Sequence, residues 1–170
     1  MRTLVTGGLG YIGSHTVIDL LEHGFDVTIV DNLENCCLST LDAIRQNSAR
    51  KPRFEELDVR DEIAIARLLK TSRIEAVLHF AAKKSPGESL ERPTDYFSTN
   101  VSGTVSLLSA MQASDVRNLV FSSSASVYGN ASRTSIDESA PLEPLSPYAE
   151  SKLLCERILE TTAALGLNWK

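Results

Sequence analysis

The sequence has few cysteines, no long apolar run and no cluster of basic residues. Three cysteines in 170 residues, two of them adjacent (Cys36 and Cys37), make no disulfide framework, which favours a reducing compartment. No apolar run approaches the ~18 residues that a membrane-spanning helix needs. A net charge of −5 and the lack of a basic run argue against sequence-independent binding to nucleic acid. We therefore expect a cytoplasmic protein with neither membrane nor nucleic-acid partners.

The remaining composition is that of an ordinary globular domain. The chain is 42% hydrophobic and 23% charged, with 9 glycines and 6 prolines, which excludes disordered and collagen-like classes. Its length fits one domain. The three histidines (His15, His23 and His79) are scattered, so we expect packing or capping roles for them and no metal site.

Short apolar segments alternate with helical segments along the chain. The predicted strands are 2–6, 26–31, 53–58, 75–82 and 118–124. The predicted helices are 11–23, 39–47, 61–72, 93–113 and 147–165. This alternation predicts an α/β fold, a Rossmann-like doubly wound parallel sheet with strand order 3-2-1-4-5. Because the chain stops before a further strand would begin, we expect the edge at 119–121 to be exposed.

A glycine-rich turn connects the first strand to the first helix. Gly7, Gly10 and Gly13 permit a tight turn and a close backbone approach to a pyrophosphate at the helix N-terminus. Asp31 ends the second strand, near the ~20-residue spacing at which an acid binds the ribose hydroxyls of a dinucleotide. An acid there disfavours a 2′-phosphate, which favours NAD over NADP. A glycine-rich turn without a ligand is the alternative interpretation.

Two residues at the end of the third predicted strand are candidates for the adenine end of that site. Asp58 and Val59 follow the strand directly. The alternative for Asp58 is that its carboxylate caps the helix predicted at 61–72.

A second group of candidate residues follows the fifth strand and begins the last helix. Ser146 and Pro147 are typical of a helix start, which places Tyr148 and Lys152 four residues apart on one helix face. An ammonium near a phenol stabilises the phenolate, so the pair suits proton transfer. An exposed helix face is the alternative. The strand-end serines either contact a ligand or only terminate the strand.

The glycine turn, Ser124 and Tyr148-x-x-x-Lys152 together resemble the extended short-chain dehydrogenase/reductase family. Further matching segments are Asp31-Asn32-Leu33, His79-Phe80-Ala81-Ala82, Gly87-Glu88-Ser89, Asn100-Val101-Ser102-Gly103-Thr104 and Phe121-Ser122-Ser123-Ser124-Ala125. The resemblance covers the whole chain. It implies that residues 1–170 form an NAD-binding Rossmann domain without the C-terminal sugar-nucleotide domain of the family.

The resemblance also implies an activity and the residues that perform it. The implied reaction interconverts UDP-glucose and UDP-galactose by inversion at C4, through a 4-keto intermediate and with tightly bound NAD. The implied catalytic residues are Ser124, Tyr148 and Lys152. The implied cofactor-binding residues are Gly7, Gly10, Tyr11, Ile12, Gly13, Asp31, Asn32, Asp58, Val59, Phe80, Ala81, Ala82, Lys84, Ser122, Tyr148 and Lys152. Relatives form homodimers, so a homodimer through the helices near 93–113 and 147–165 is expected.

The chain departs from the family pattern at several positions, none of which removes a catalytic group, and in its length, which leaves alternatives open. Pro86 stands where valine is common. Ala82 stands where glycine is common, Thr99 where asparagine is common, and Cys36-Cys37 where small polar residues are common. A non-catalytic NAD-binding chain, or an epimerase or dehydratase acting on another nucleotide sugar, remains possible on the sequence alone. A dehydratase is less favoured because Ser124-Ala125-Ser126 offers no acid. The choice between UDP-glucose and UDP-N-acetylglucosamine is also open.

Overall fold

A computed structural model describes residues 1–130, 135–164 and 166–170. Six strands form one sheet, in which every neighbouring pair is parallel and the order is β3-β2-β1-β4-β5-β6. The strands are β1 (Arg2–Thr6), β2 (Asp26–Asp31), β3 (Arg53–Glu56), β4 (Ala76–His79), β5 (Asn118–Phe121) and β6 (Asn168–Trp169). The predicted α/β class and the doubly wound parallel sheet are therefore confirmed.

Helices cover both faces of the sheet. The α-helices are α1 (Tyr11–Glu22), α2 (Leu38–Asn47), α3 (Glu62–Thr71), α4 (Pro86–Glu91), α5 (Pro93–Tyr96), α6 (Gly103–Ala113) and α7 (Pro147–Ala163). The segment Phe97–Ser102 between α5 and α6 is a π-helix, and Ala125–Tyr128 is a short 3₁₀-helix. The helix predicted at 147–165 ends at Ala163, and position 165 lies outside the described residues.

The core forms two layers because successive strand residues point to opposite faces of the sheet. Leu4 and Val30 pack with α3, α6 and α7 on one face. Val5 and Ile29 pack with α1 and α2 on the other face. All four side chains are fully buried, as expected of parallel strands covered on both faces.

The expectation that β5 leaves an exposed edge is wrong. Asn168 donates its backbone N–H to the carbonyl of Arg117 at 2.8 Å, and Lys170 donates to Leu119 at 3.0 Å. Phe121 in turn donates to the carbonyl of Lys170 at 2.8 Å. The last residues of the chain therefore pair with β5 as a sixth strand. Within the described part of the chain, no helix is long and apolar enough to cross a membrane.

Candidate functional site

A cavity of about 250 Å³ lies at the carboxyl end of the sheet. Ligands of open α/β sheets bind at this end, beside the point where the strand order reverses. The cavity is lined by every predicted cofactor residue, namely Gly7, Gly10, Tyr11, Ile12, Gly13, Asp31, Asn32, Asp58, Val59, Phe80, Ala81, Ala82, Lys84, Ser122, Tyr148 and Lys152. Ser123, which the sequence analysis left open, and Cys36 and Thr99, which it named as departures from the family pattern, also line the cavity. Lining residues that the sequence analysis missed are Val30, Glu34, Asn35, Leu57 and Lys83.

The glycine turn forms one wall of the cavity and leaves no room for side chains. Gly7 has a φ of +66°, and a Cβ there would lie 2.6 Å from the backbone nitrogen of Ala81. A Cβ on Gly13 would lie 2.2 Å from the carbonyl oxygen of Gly7. Gly10 is the N-cap residue of α1, so the unpaired N–H groups of that helix face the turn. This bare backbone and helix N-terminus fit the diphosphate of a dinucleotide.

Asp31 ends β2 with its carboxylate held in a fixed orientation. The backbone N–H of Leu9 donates to Oδ2 at 3.1 Å, and the N–H of Leu33 donates to Oδ1 at 3.1 Å. The thiol of Cys36 also donates to Oδ1 at 3.1 Å. Asp31 is 9% exposed and lines the cavity, so its remaining accepting capacity fits a ribose diol.

Asp58 lies beside Asp31 in the cavity wall and does not cap a helix. Its carboxylate pairs with the guanidinium of Arg60 at 2.7 Å and accepts from the Asn32 amide at 3.0 Å. These bonds, above all those from Arg60, hold the pKa of Asp58 well below its ordinary value. The capping alternative is wrong, because Asp61 caps α3 by accepting from the N–H of Ala64 at 3.0 Å.

The opposite end of the cavity holds Tyr148 in the first turn of α7. The predicted helix start is confirmed, since the Ser146 hydroxyl accepts from the N–H of Ala149 at 3.2 Å. Tyr148 is 9% exposed, and its ring packs edge-to-face against Tyr96 with 6.3 Å between the centroids. Its phenol therefore lines the cavity on a rigid, capped element rather than on an exposed helix face.

Lys152 lies one turn further along α7 and is almost fully buried. Its ammonium donates to the carbonyl oxygen of Ser122 at 2.7 Å and lies 4.7 Å from the centroid of the Phe121 ring. Burial lowers the pKa of Lys152 to about 8. A buried cation thus lies in the wall of the cavity beside Tyr148.

Ser124 follows β5 and is the N-cap residue of the short 3₁₀-helix Ala125–Tyr128. It is absent from the cavity wall, and its hydroxyl accepts from the backbone N–H of Ser126 at 3.2 Å. Ser122 and Ser123 do line the cavity, and the Ser123 hydroxyl bonds to the carboxylate of Glu156. The structure therefore places Tyr148 and Lys152 in the cavity wall, whereas Ser124 does not line this cavity.

The π-helix brings a buried asparagine against the loop after β4. The Asn100 side chain accepts from the N–H of Lys83 at 2.8 Å and donates to its carbonyl at 3.0 Å. It also donates to the hydroxyl of Ser151 on α7 at 2.9 Å. Short π segments occur frequently at functional sites. Here the Asn100 side chain fixes the loop that carries Lys83 and Lys84.

His79 has a structural role, as predicted. His79 is buried between the hydroxyls of Thr6 at 2.6 Å and Thr104 at 3.2 Å. Among residues 1–130, 135–164 and 166–170, no three His, Cys, Asp or Glu side chains are grouped as metal ligands would be.

The model of one protein family matches almost the whole chain. The NAD dependent epimerase/dehydratase family matches residues 3–170. The chain belongs to this family. Membership agrees with the glycine turn and Asp31, which are the parts of the cavity that fit the dinucleotide the family uses.

Relatives within the epimerase/dehydratase family are similar over the full length of this chain. The UDP-glucose 4-epimerase uge1 of Schizosaccharomyces pombe is 46% identical over 161 residues, which are 92% of this chain and 45% of the relative. The human UDP-glucose 4-epimerase is 41% identical over 175 residues, covering 99% of this chain and 50% of the relative. A crystal structure of UDP-glucose-4-epimerase from Stenotrophomonas maltophila, with bound NAD and formylated UDP-arabinopyranose, is 45% identical with a TM-score of 0.97. It covers 99% of this chain and 51% of that one.

The chain spans half or less of the length of these curated relatives. The fold and the dinucleotide cavity therefore correspond to one half of a complete epimerase. What the other half contributes in relatives has no counterpart among residues 1–170.

Proposed function

We propose that residues 1–170 are the NAD-binding domain of a UDP-glucose 4-epimerase, which interconverts UDP-glucose and UDP-galactose through a 4-keto sugar. One observation carries the proposal. The cavity has a bare glycine turn and a fixed carboxylate (Asp31) at one end, and a buried tyrosine and lysine (Tyr148 and Lys152) at the other. The similarity to epimerases supports the same conclusion.

Each end of the cavity has its own task in this proposal. Asp31 accepts hydrogen bonds from the adenosine ribose, and the glycine turn binds the diphosphate. Bound NAD supplies the acceptor and donor for the hydride at C4 of the sugar. Tyr148 takes the proton of the 4-hydroxyl and later returns it, and the ammonium of Lys152 stabilises the phenolate formed in between.

Ser124 polarises the sugar 4-oxygen in this proposal. Its hydroxyl now bonds to Ser126 at 2.8 Å, a contact that a sugar hydroxyl or ketone could replace. We therefore keep Ser124 as the third catalytic residue of the proposal, with its role dependent on bound substrate.

Positioning the sugar nucleotide requires more than the reactive groups. Catalysis depends on binding energy from remote parts of the substrate. Because the chain spans half of its relatives, a second candidate function is an NAD-binding chain without turnover. We expect very low epimerisation by residues 1–170 alone.

A native mass spectrum of the protein purified from its source, followed by an assay with UDP-galactose, tests the proposal. A longer chain that retains NAD and forms UDP-glucose supports it. In that protein, Tyr148→Phe should abolish turnover while NAD stays bound, since only the proton-transferring hydroxyl is lost. Full activity of Tyr148→Phe would contradict the assignment of Tyr148. A 170-residue chain that binds NAD without turnover would favour the second candidate.

We also propose a homodimer and a reducing, cytoplasmic location. Leu90 and Val105, on helices near the predicted interface, are 66% and 44% exposed, and a partner subunit could cover them. Sedimentation at micromolar concentration tests the dimer, and a monomer there would contradict it.

The proposed reducing location agrees with the cysteines. All three are free thiols, as a reducing compartment would keep them.

A further inference from the structure

Two oppositely charged side chains meet across the cavity. The ammonium of Lys83, on the loop after β4, lies 2.5 Å from Oε1 of Glu34, on the loop after β2. Both residues line the cavity. The sequence analysis assigned no function to either residue.

The sheet order places the two loops that carry this ion pair on either side of the glycine turn. β1 lies between β2 and β4, and the turn that begins at Gly7 follows β1. A bond between the loops after β2 and β4 therefore spans the loop after β1. Both side chains belong to the same cavity wall as Asp31 and Lys152.

Both ends of the ion pair are fixed by further hydrogen bonds. Asn100 bonds to both backbone polar groups of Lys83, as described above. The backbone N–H of Glu34 donates to the side chain of Asn32 at 3.1 Å, and Asn32 donates in turn to Asp58. The two loops are therefore held at the separation that the pair requires.

Burial makes the pair stronger than a typical surface salt bridge. The side chain of Lys83 is only 10% exposed and that of Glu34 is 44% exposed, so solvent screens their attraction incompletely. The hydrogen bond from Lys83 is the main cause of a lowered pKa for Glu34. Glu34 is therefore a carboxylate at neutral pH, as the ion pair requires.

We propose that Glu34 and Lys83 form a clasp over a bound dinucleotide and slow its release. The inference rests on the NAD binding proposed above. A dinucleotide that extends from Asp31 to Lys152 lies beneath the bond, so the bond must open before the ligand leaves. The competing interpretation is that Lys83 binds the diphosphate directly, with Glu34 only neutralising it in the empty cavity.

Dissociation of NADH, followed by the loss of its fluorescence on displacement with excess NAD, tests the clasp in the full chain. Glu34→Gln and Lys83→Met should each raise the dissociation rate constant about 3- to 10-fold, because each removes the same bond. The double variant should be no faster than either single one, and the exchanged pair Glu34→Lys with Lys83→Glu should restore slow release. Asp115→Asn, which breaks the exposed pair with Arg117 outside the cavity, should leave the rate unchanged.

Two results would overturn the clasp. One is an unchanged rate in both single variants. The other is an opposite response, in which Lys83→Met speeds release and Glu34→Gln slows it, since that pattern identifies Lys83 as a diphosphate ligand. Absence of NADH binding to the unmodified protein would overturn the proposed function together with the clasp, whereas unchanged rates would overturn the clasp alone.

Discussion

The side-chain ammonium of Lys152 donates a hydrogen bond to the backbone carbonyl of Ser122 at 2.7 Å. This bond connects α7, which carries Tyr148, to the segment that follows β5 and carries Ser124. The charge that the proposed reaction needs therefore also holds two parts of the site together. Its burial has a consequence for the pH dependence of stability.

Lys152→Met should change the alkaline stability profile. Burial lowers the pKa of Lys152 from its ordinary 10.5 to about 8, so the folded state binds this proton less tightly than the unfolded state. Below pH 8, holding the charged Lys152 in the folded state lowers the free energy of unfolding. As pH rises from 8 to 10.5, the folded state loses this proton before the unfolded state does, so the free energy of unfolding increases. Over that range, stability of the unmodified protein relative to Lys152→Met should rise by on the order of 3 kcal/mol. Chemical denaturation at several pH values measures this, with the exposed Lys70→Met as the control.

His79→Gln should reduce sensitivity to acid. Burial, together with the charge of Lys152, lowers the pKa of His79 to about 3, so the folded state requires the neutral ring. The contribution of the neutral His79 ring to the free energy of unfolding is fully present above pH 6.5. It is lost as pH falls toward 3, because the unfolded state takes up the proton first. Glutamine can still donate to Thr104 and accept from Thr6.

The measurement compares unfolding free energies at pH 7.5 and pH 5. The loss between these values should be about 2 kcal/mol smaller in His79→Gln than in the unmodified protein. The control variant His15→Gln, at an exposed histidine, should lose as much unfolding free energy between pH 7.5 and pH 5 as the unmodified protein does. An equal loss in both variants would mean that protonation of His79 does not limit acid stability.

Gly13→Ala should damage the turn, whereas Gly87→Ala should not. A Cβ on Gly13 would lie 2.2 Å from the Gly7 carbonyl oxygen and 2.8 Å from Gly8 Cα, and both contacts are with backbone. We expect about 1–3 kcal/mol lower stability and severely weakened NAD binding. A Cβ on Gly87, in α4, meets nothing within 4 Å, so alanine there should be neutral or stabilise by about 0.5–1 kcal/mol. Thermal unfolding and NAD titration of both variants check this, and equal behaviour would contradict it.

The bounds of β1 and β2 could be predicted, β4 and β5 are shorter than the predicted 75–82 and 118–124, and the last strand could not be predicted. β1 and β2 have the predicted bounds, because a strand covered on both faces needs an unbroken apolar run. β6 consists of Asn168 and Trp169, which carry no such run. Its position depends on backbone hydrogen bonds to β5, which the side-chain pattern does not encode.

The cavity-lining residues that belong to local sequence patterns could be predicted, and those brought together by contacts between distant loops could not. Gly7, Asp31 and Tyr148 occur in patterns whose spacing has a physical reason. Glu34 and Lys83 are 49 residues apart and resemble ordinary surface charges until the sheet order brings their loops together. The π-helix was missed for a related reason, since the apolar period of 93–113 is compatible with one continuous helix.

Asp31→Asn should weaken the preference for NAD over NADP. In the proposed complex the Asp31 carboxylate bonds to the adenosine ribose and repels a 2′-phosphate, while Leu9 and Leu33 fix its orientation. Loss of the charge should raise the Kd for NAD about 10- to 100-fold, as expected for hydrogen bonds to a charged group, and should affect NADP less. Asp26→Asn, at the exposed opposite end of β2, should leave both Kd values unchanged. Calorimetric titration of both variants and the unmodified protein measures the Kd values for NAD and NADP. An equal loss of affinity for NAD and NADP would mean that the carboxylate only supports the turn and does not discriminate at the ribose.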